Sequence, residues 1–205
     1  MAIQNMKPSR KYTVGAQYIC FNTPDASGDW TETFEADVYK LPTVTSVSIS
    51  DEVDDYETYA SGNVYDADSI VSKKTISETN IAFPEMLLAR MRGDTVDNDG
   101  VILEGGIHTR PFFAYGVVIT KKDGSQDLRW YPKCKLTENT DETETSEASN
   151  KDMTDDITIS AYGYNANQDK VIRALNGEDA LAGLTEAKFF AAPVLTAAAV
   201  KALAE

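Results

Sequence analysis

The chain has 205 residues, 42% hydrophobic and 25% charged, a composition that fits one well-cored domain and excludes wholesale disorder. Its 33 acids against 19 bases leave a formal net charge of −14. That balance excludes a nucleic-acid binder of the electrostatic kind, which needs clustered Lys and Arg to neutralise phosphates. It suits a protein that must stay soluble or must not adhere to a polyanion. Cys20 and Cys134 lie far apart and lack C-x-x-C spacing, so two buried thiols are expected, not a disulfide framework or a zinc site. The opening MAIQNMKPSRKYTVG has no apolar core of a signal peptide, and no run reaches the roughly 20 apolar residues of a membrane span. Synthesis in the cytoplasm and no membrane association are therefore expected.

Most patterned segments alternate with period two. Tyr12 to Phe21 is rich in β-branched and aromatic residues and reads as a strand. PDASGDW (24–30) supplies turn chemistry before a further patterned segment, Thr31 to Leu41. TVTSVSIS (43–50) alternates cleanly, with Val47 and Ile49 on one face and Ser48 and Ser50 on the other. An acid-rich stretch follows to Asp68, and Ile70 to Phe83 is again strand-like. PEMLLARMRG (84–93) is the one clear helix: Pro84 suits its start, Gly93 its end, and Phe83, Leu87 and Met91 form a core-facing stripe. FFAYGVVITKK and SQDLRWYPKCKL predict a β-hairpin turning at Asp123-Gly124. The acidic, Ser/Thr-rich run 138–156 has no hydrophobic period and reads as an exposed, mobile loop. ITISAYGY (157–164) returns to a strand, DKVIRALNG (169–177) fits a short helix stopped by Gly177, and VLTAAAVKALA (194–204) is an Ala-rich helical tail. The fold class expected is mainly β (α+β), a sandwich or barrel with one packed α-helix.

No catalytic constellation assembles from these residues. The one histidine, His108, has no G-x-S-x-G, P-loop or H-E-x-x-H pattern around it, and a structural or surface role is expected. DTVDNDG (94–100) resembles a calcium loop, but with Gly100 at position six the first and twelfth positions are Thr95 and Gly106, which supply no carboxylate. A turn after the helix accounts better for it. No catalytic residue, metal site or cofactor is assigned.

The acid-rich stretch raises a sharper question. Asp51, Glu52, Asp54, Asp55, Glu57, Asp66 and Asp68 precede Lys73, the first base to follow. If Ser61-Gly62 is the turn of a hairpin, Tyr59 faces Val64, Glu57 faces Asp66, and Asp55 faces Asp68. Like charges directly opposite destabilise a sheet by about 0.2–1 kcal/mol per pair, so that face is solvated, holds calcium, or is displaced by another register. In any of these cases the ribbon is too polar to be core on either side. It is expected to project from the domain and to acquire its packing from neighbours.

In order along the chain, TSVSISDEVDDYETYASG, the polar arm after it, FPEMLLARMRGD with its trailing DNDG, RPFFAYGVVITKKDGSQDLRWYPKCKLT and DITISAYGY resemble the major tail tube proteins of long, non-contractile-tailed bacteriophages. The resemblance runs over residues 12–165. It implies a tail-tube β-sandwich domain over 1–165, with a protruding hairpin arm at about 47–83, the helix at 84–92 and the acidic loop at 138–156. Residues 166–205 form a C-terminal extension outside it, partly helical by pattern. What the resemblance implies further is a structural virion protein and not an enzyme. It would assemble in the bacterial host cytoplasm into homo-hexameric rings that stack into a tube, with hairpins of six copies joining an inter-subunit barrel. Its partners would be other tail proteins (tape measure, tail tip and terminator), and DNA would pass through the lumen during ejection without specific binding. Six copies at −14 each would give a lumen or ring junction lined by the acids of 51–68, from which phosphates are repelled. Neutralising Asp55, Glu57, Asp66 and Asp68 is then expected to leave rings intact and slow ejection.

Two other readings stay open on the sequence. One is the inner-tube protein of a contractile tail or secretion device. The other, of a different class, is a calcium-dependent carbohydrate-binding β-sandwich in which exposed Trp30 and Trp130 stack on sugar.

Overall fold

Period-two alternation sets the architecture. The computed structural model describes residues 8–97, 99–140, 154–177 and 181–205. Strands β1 (Lys11–Phe21), β2 (Tyr39–Leu41), β3 (Val44–Ala60), β4 (Asn63–Asn80), β7 (Phe113–Lys121), β8 (Gln126–Thr140) and β9 (Asp155–Ala161) form one antiparallel sheet in the order β2-β1-β7-β8-β9-β4-β3. An eighth strand, β10 (Ile172–Asn176), pairs with the first half of β8. A separate two-stranded piece joins β5 (Thr95–Val96) to β6 (Ile102–Leu103). The expected mainly-β class with few helices is what the chain adopts.

The sheet curls, so that Val14 of β1 and Val47 and Ile49 of β3 pack on one core although no ladder joins those strands. That inner core holds Ile19, Phe21, Tyr115, Val117, Ile76 and Ile159, and helix α1 (Glu85–Arg92) caps it with Leu87, Leu88 and Met91. Phe83, Leu87 and Met91 are buried as the stripe predicts. Pro84 sits one position earlier than expected, as the N-cap in extended conformation, and Gly93 closes the helix in the left-handed region.

Among the described residues, the outer face of the sheet is covered over only half its width. There Tyr18, Cys20, Ala114, Val118, Leu128 and Trp130 form a second core. Its lid is the C-terminal segment, whose helices α2 (Glu186–Phe189) and α3 (Ala197–Ala202) follow Thr185 and Thr196 caps. Phe189, Phe190, Val194 and Val200 are buried against the strands. Phe190 stacks on Tyr18 with ring centroids 4.0 Å apart. The ring lies over Gly116, where an added Cβ would come within 2.6 Å of it, so only glycine fits that strand position.

Several expectations are corrected. DKVIRALNG is not a helix: Ile172–Asn176 is a strand, because Ile172 and Ala174 alternate onto the outer core and β8 offers a free edge. In Thr31–Leu41 only Tyr39–Leu41 is a strand, with an isolated bridge between Asn22 and Phe34. Trp130 is not exposed; it is fully buried and its indole N–H donates to the Phe189 carbonyl at 3.0 Å, which removes it from any sugar-stacking surface. The acidic loop is narrower than 138–156, since β8 runs on to Thr140 and β9 starts at Asp155; residues 141–153 lie outside the described residues. Cys20 and Cys134 are both free and buried.

Candidate functional site

The β3–β4 hairpin is the feature that one chain does not use. Ladder pairing of β4 to β9 stops at Lys74–Ala161, so beyond that point β3 and β4 have only each other. From Val53 to Ala60 this free ribbon extends about 25 Å at the usual strand rise. Its tip is a two-residue turn, Ser61 at φ 52° and Gly62 at φ 81°, between paired Ala60 and Asn63. Positive φ at both positions matches the right-handed twist of the strands, and glycine takes the second at no steric cost.

The Ser-Gly turn and the Tyr59–Val64 pair are as expected, but the register beyond them is not. A bulge between Thr58 and Tyr59 leaves Tyr65 unpaired and sets Thr58 opposite Asp66, Glu57 opposite Ala67, Tyr56 opposite Asp68 and Asp55 opposite Ser69. No carboxylate faces another. The unbulged register would have opposed two acid pairs; the bulge replaces them with hydroxyl and small partners. The Ser69 hydroxyl donates to Asp55 at 2.5 Å, the Ser69 amide to Asp68 at 2.8 Å, and the Tyr59 hydroxyl to Glu57. The Glu57 hydrogen bond pushes the Tyr59 phenol above its ordinary pKa.

The seven acids therefore divide. Asp51 and Glu52 are neutralised at the root of the arm, Glu52 by Lys73 at 3.0 Å and Asp51 by Lys74. Hydrogen bonding to Glu52 raises the Lys73 ammonium above its usual pKa. The other five stand on a stretch, 53–72, that contains no Lys or Arg. By register, Asp55 and Glu57 continue the face that carries Val47 and Ile49, while Asp54, Asp66 and Asp68 share the opposite face with Glu52, Ser50 and Ser48. Apolar side chains are exposed among them: Val53, Tyr56, Tyr59, Val64, Tyr65 and Ile70. Exposed apolar surface interleaved with charge on an unpaired edge marks a contact surface, because a lone edge strand of this length invites pairing.

Two features escaped sequence reasoning. The first is the outer face of β3, β4 and β9, which no segment covers among the described residues. It presents Ser46, Ser48, Ser50, Thr75, Ser77 and Thr158, a hydroxyl surface continuous with the acids of the arm. The Ser48/Ser50 alternation signals half of it; the partner strands follow only from topology. The second is a cationic cluster where β1 begins and β7 ends. Lys11 and Lys121 are directly opposed, and the Lys122 amide bonds to the Arg10 carbonyl at 2.9 Å.

Among the described residues no group of three or more His, Cys, Asp or Glu side chains is placed to hold a metal ion, and the arm acids diverge onto two faces. His108 is exposed in the loop before β7. Between β5 and β6 the Gly100 amide donates to the Asp97 carbonyl at 3.0 Å.

Fold and site together define a curled antiparallel β body with one covered and one bare outer half, extended by an unpartnered acidic hairpin. No family model matches the chain, and no curated protein matches it. Among solved structures, a chain from the PVC sheath–tube complex of an extracellular contractile injection system, in its extended state, aligns with it at TM-score 0.40 and 16% identity. The alignment covers 77% of this chain and 88% of that one. Overlap at that level assigns neither family nor role.

Proposed function

We propose that this chain is a structural subunit that assembles with copies of itself into stacked rings forming a tube, as in the tail tubes of long, non-contractile-tailed bacteriophages. The observation that carries the reading is the β3–β4 arm, which buries nothing in its own chain and leaves the outer edge of a 17-residue strand unpaired. Neighbouring copies would supply the missing strand partners, as closure of a barrel does. The bare hydroxyl face and the Asp54, Asp66 and Asp68 side of the arm would then line a lumen. Such a wall repels a polyanion, because its acids outnumber its cations and Lys73, the one base beside them, is already paired with Glu52, so DNA slides past it. The sequence resemblance over 12–165 supports the same reading, and no catalytic group is part of it.

Negative-stain microscopy of the purified chain tests it. Rings or tubes are expected, and they are expected to disappear when residues 53–72 are replaced by a tight turn while the body stays folded. A chain that stays dispersed at every concentration, or tubes that survive loss of the arm, would overturn the reading.

A further inference from the structure

Two stretches of sheet edge that are open among the described residues carry opposite charge. One is β3, whose free outer half bears Asp54, Asp55 and Glu57. The other is the first half of β1, because β2 pairs only with Gln17 to Ile19 and leaves the edge from Lys11 to Ala16 unpaired. At that edge stand Arg10, Lys11, Lys121 and Lys122, four cations in a chain of net charge −14. Lys11 and Lys121 oppose each other directly across the β1–β7 ladder, an arrangement that destabilises a strand pair unless an anion joins it.

The described residues supply no such anion. Among the described residues, none of the four cations makes an ion pair, and of the cations without one only Lys11 and Lys121 face each other across a ladder. The carboxylate nearest in sequence, Asp123, is turned into its own loop, where it accepts from the amide and hydroxyl of Ser125. Beside the cluster, between β1 and β3, lies an open groove of about 600 Å³ whose apolar lining is Tyr12, Val14, Val47, Ile49 and Ile119; its charged lining is Lys11, Arg129 and Asp51, the last already paired with Lys74.

We infer that the arm of a second copy docks along the Lys11–Ala16 edge of β1, with its Asp55 and Glu57 against Lys11, Lys121 and Lys122. The side chains match in kind. The face of the arm that carries Asp55 and Glu57 also carries Val53, Val64 and Val71, an alternation of charge and aliphatic groups that fits a groove with cations at its mouth and valines within. Burying those aliphatics removes exposed apolar surface, and the backbone of β1 gains a strand partner on its open side. The contact joins one edge of the sheet to the other edge of the next copy, so it is heterologous and closes into a ring when repeated by rotation. It leaves Asp54, Asp66 and Asp68 on the opposite face, free of the cations. The inference rests on the tube reading but fixes which surfaces meet.

The test uses the full chain, with equal amounts of unlabelled and 15N-labelled protein treated with a zero-length carbodiimide. Cross-links between Asp55 or Glu57 and Lys11, Lys121 or Lys122 are expected to join light to heavy chains. In parallel, Lys121→Glu with Lys122→Glu, and separately Asp55→Lys with Glu57→Lys, are each expected to raise the concentration needed for assembly by about tenfold or more. Combining the two reversals is expected to restore it to within about threefold of the unmodified chain. If the unmodified chain assembles but these cross-links do not join two copies, or the reversals leave assembly unchanged, this contact is wrong and the tube reading stands. If it never assembles and every cross-link is within one chain, both fall.

Discussion

At the scale of single residues the inner core contains an acid with no countercharge. Glu78, 2% exposed on β4, accepts from the Tyr115 hydroxyl at 2.6 Å, and the Gln17 amide donates to it at 2.7 Å in the orientation that satisfies both groups. Burial lifts its pKa to about 7, outweighing the hydrogen bonds from Tyr115 and Asn80, which act to lower it. The fold therefore prefers Glu78 protonated. Between the ordinary Glu value near 4.3 and about 7 the native state binds more protons than the unfolded chain, so stability falls as pH rises through that window. Asp127 has the opposite sign. Burial would raise it, but hydrogen bonds from Arg173 and Arg129 outweigh burial and hold its pKa below the ordinary carboxylate value. Its contribution is present above the ordinary Asp pKa and lost as pH falls through its depressed native value. The unfolding free energy of the dispersed chain, from urea titration, should thus decline between pH 4.5 and 7.5, by an amount on the order of 2 kcal/mol, and Glu78→Gln should flatten the decline. A slope unchanged by Glu78→Gln would place the titration elsewhere.

At the scale of elements, the arm separates what could be read from the sequence from what could not. Local chemistry was legible: alternation in TVTSVSIS, the Ser-Gly turn, the Pro84–Gly93 helix and the Asp-Gly hairpin each follow from nearby residues, and each forms as expected. Register was not, because a bulge at Tyr65 costs little locally and is favoured only by separating charges that lie several residues away. The strand at Ile172–Asn176 was missed for a related reason. Its pattern fits either a short helix or a strand, and the free edge of β8 that decides between them is over forty residues distant. Trp130 was misplaced because its burial depends on a lid from the C-terminal segment, which no local pattern announces. For the candidate site, the seven acids and their projection were visible in the sequence, but their division into two faces was not. The observed register makes a direct prediction. In the assembled particle, Thr58→Cys with Asp66→Cys should form a disulfide within one arm under mild oxidation, whereas Thr58→Cys with Tyr65→Cys should not. In the unbulged register position 58 would face Tyr65, and the two outcomes would be reversed.

At the scale of the whole molecule, the sheet is finished on one side and unfinished on the other. The C-terminal segment seals the outer face of β1, β7 and the first half of β8, whereas among the described residues β3, β4 and β9 present uncovered hydroxyls and an open edge. A body of this kind folds around its two cores without the arm, so the arm's order depends on what lies beside it. Amide hydrogen exchange over residues 53–72, compared between dilute dispersed protein and the assembled particle, tests that claim most directly. The account predicts exchange within a small factor of the unfolded rate in the dispersed chain and strong protection on assembly, while β7 and β8 stay protected in both. Equal protection of the arm in both states, or an assembled particle in which the arm still exchanges freely, would contradict it.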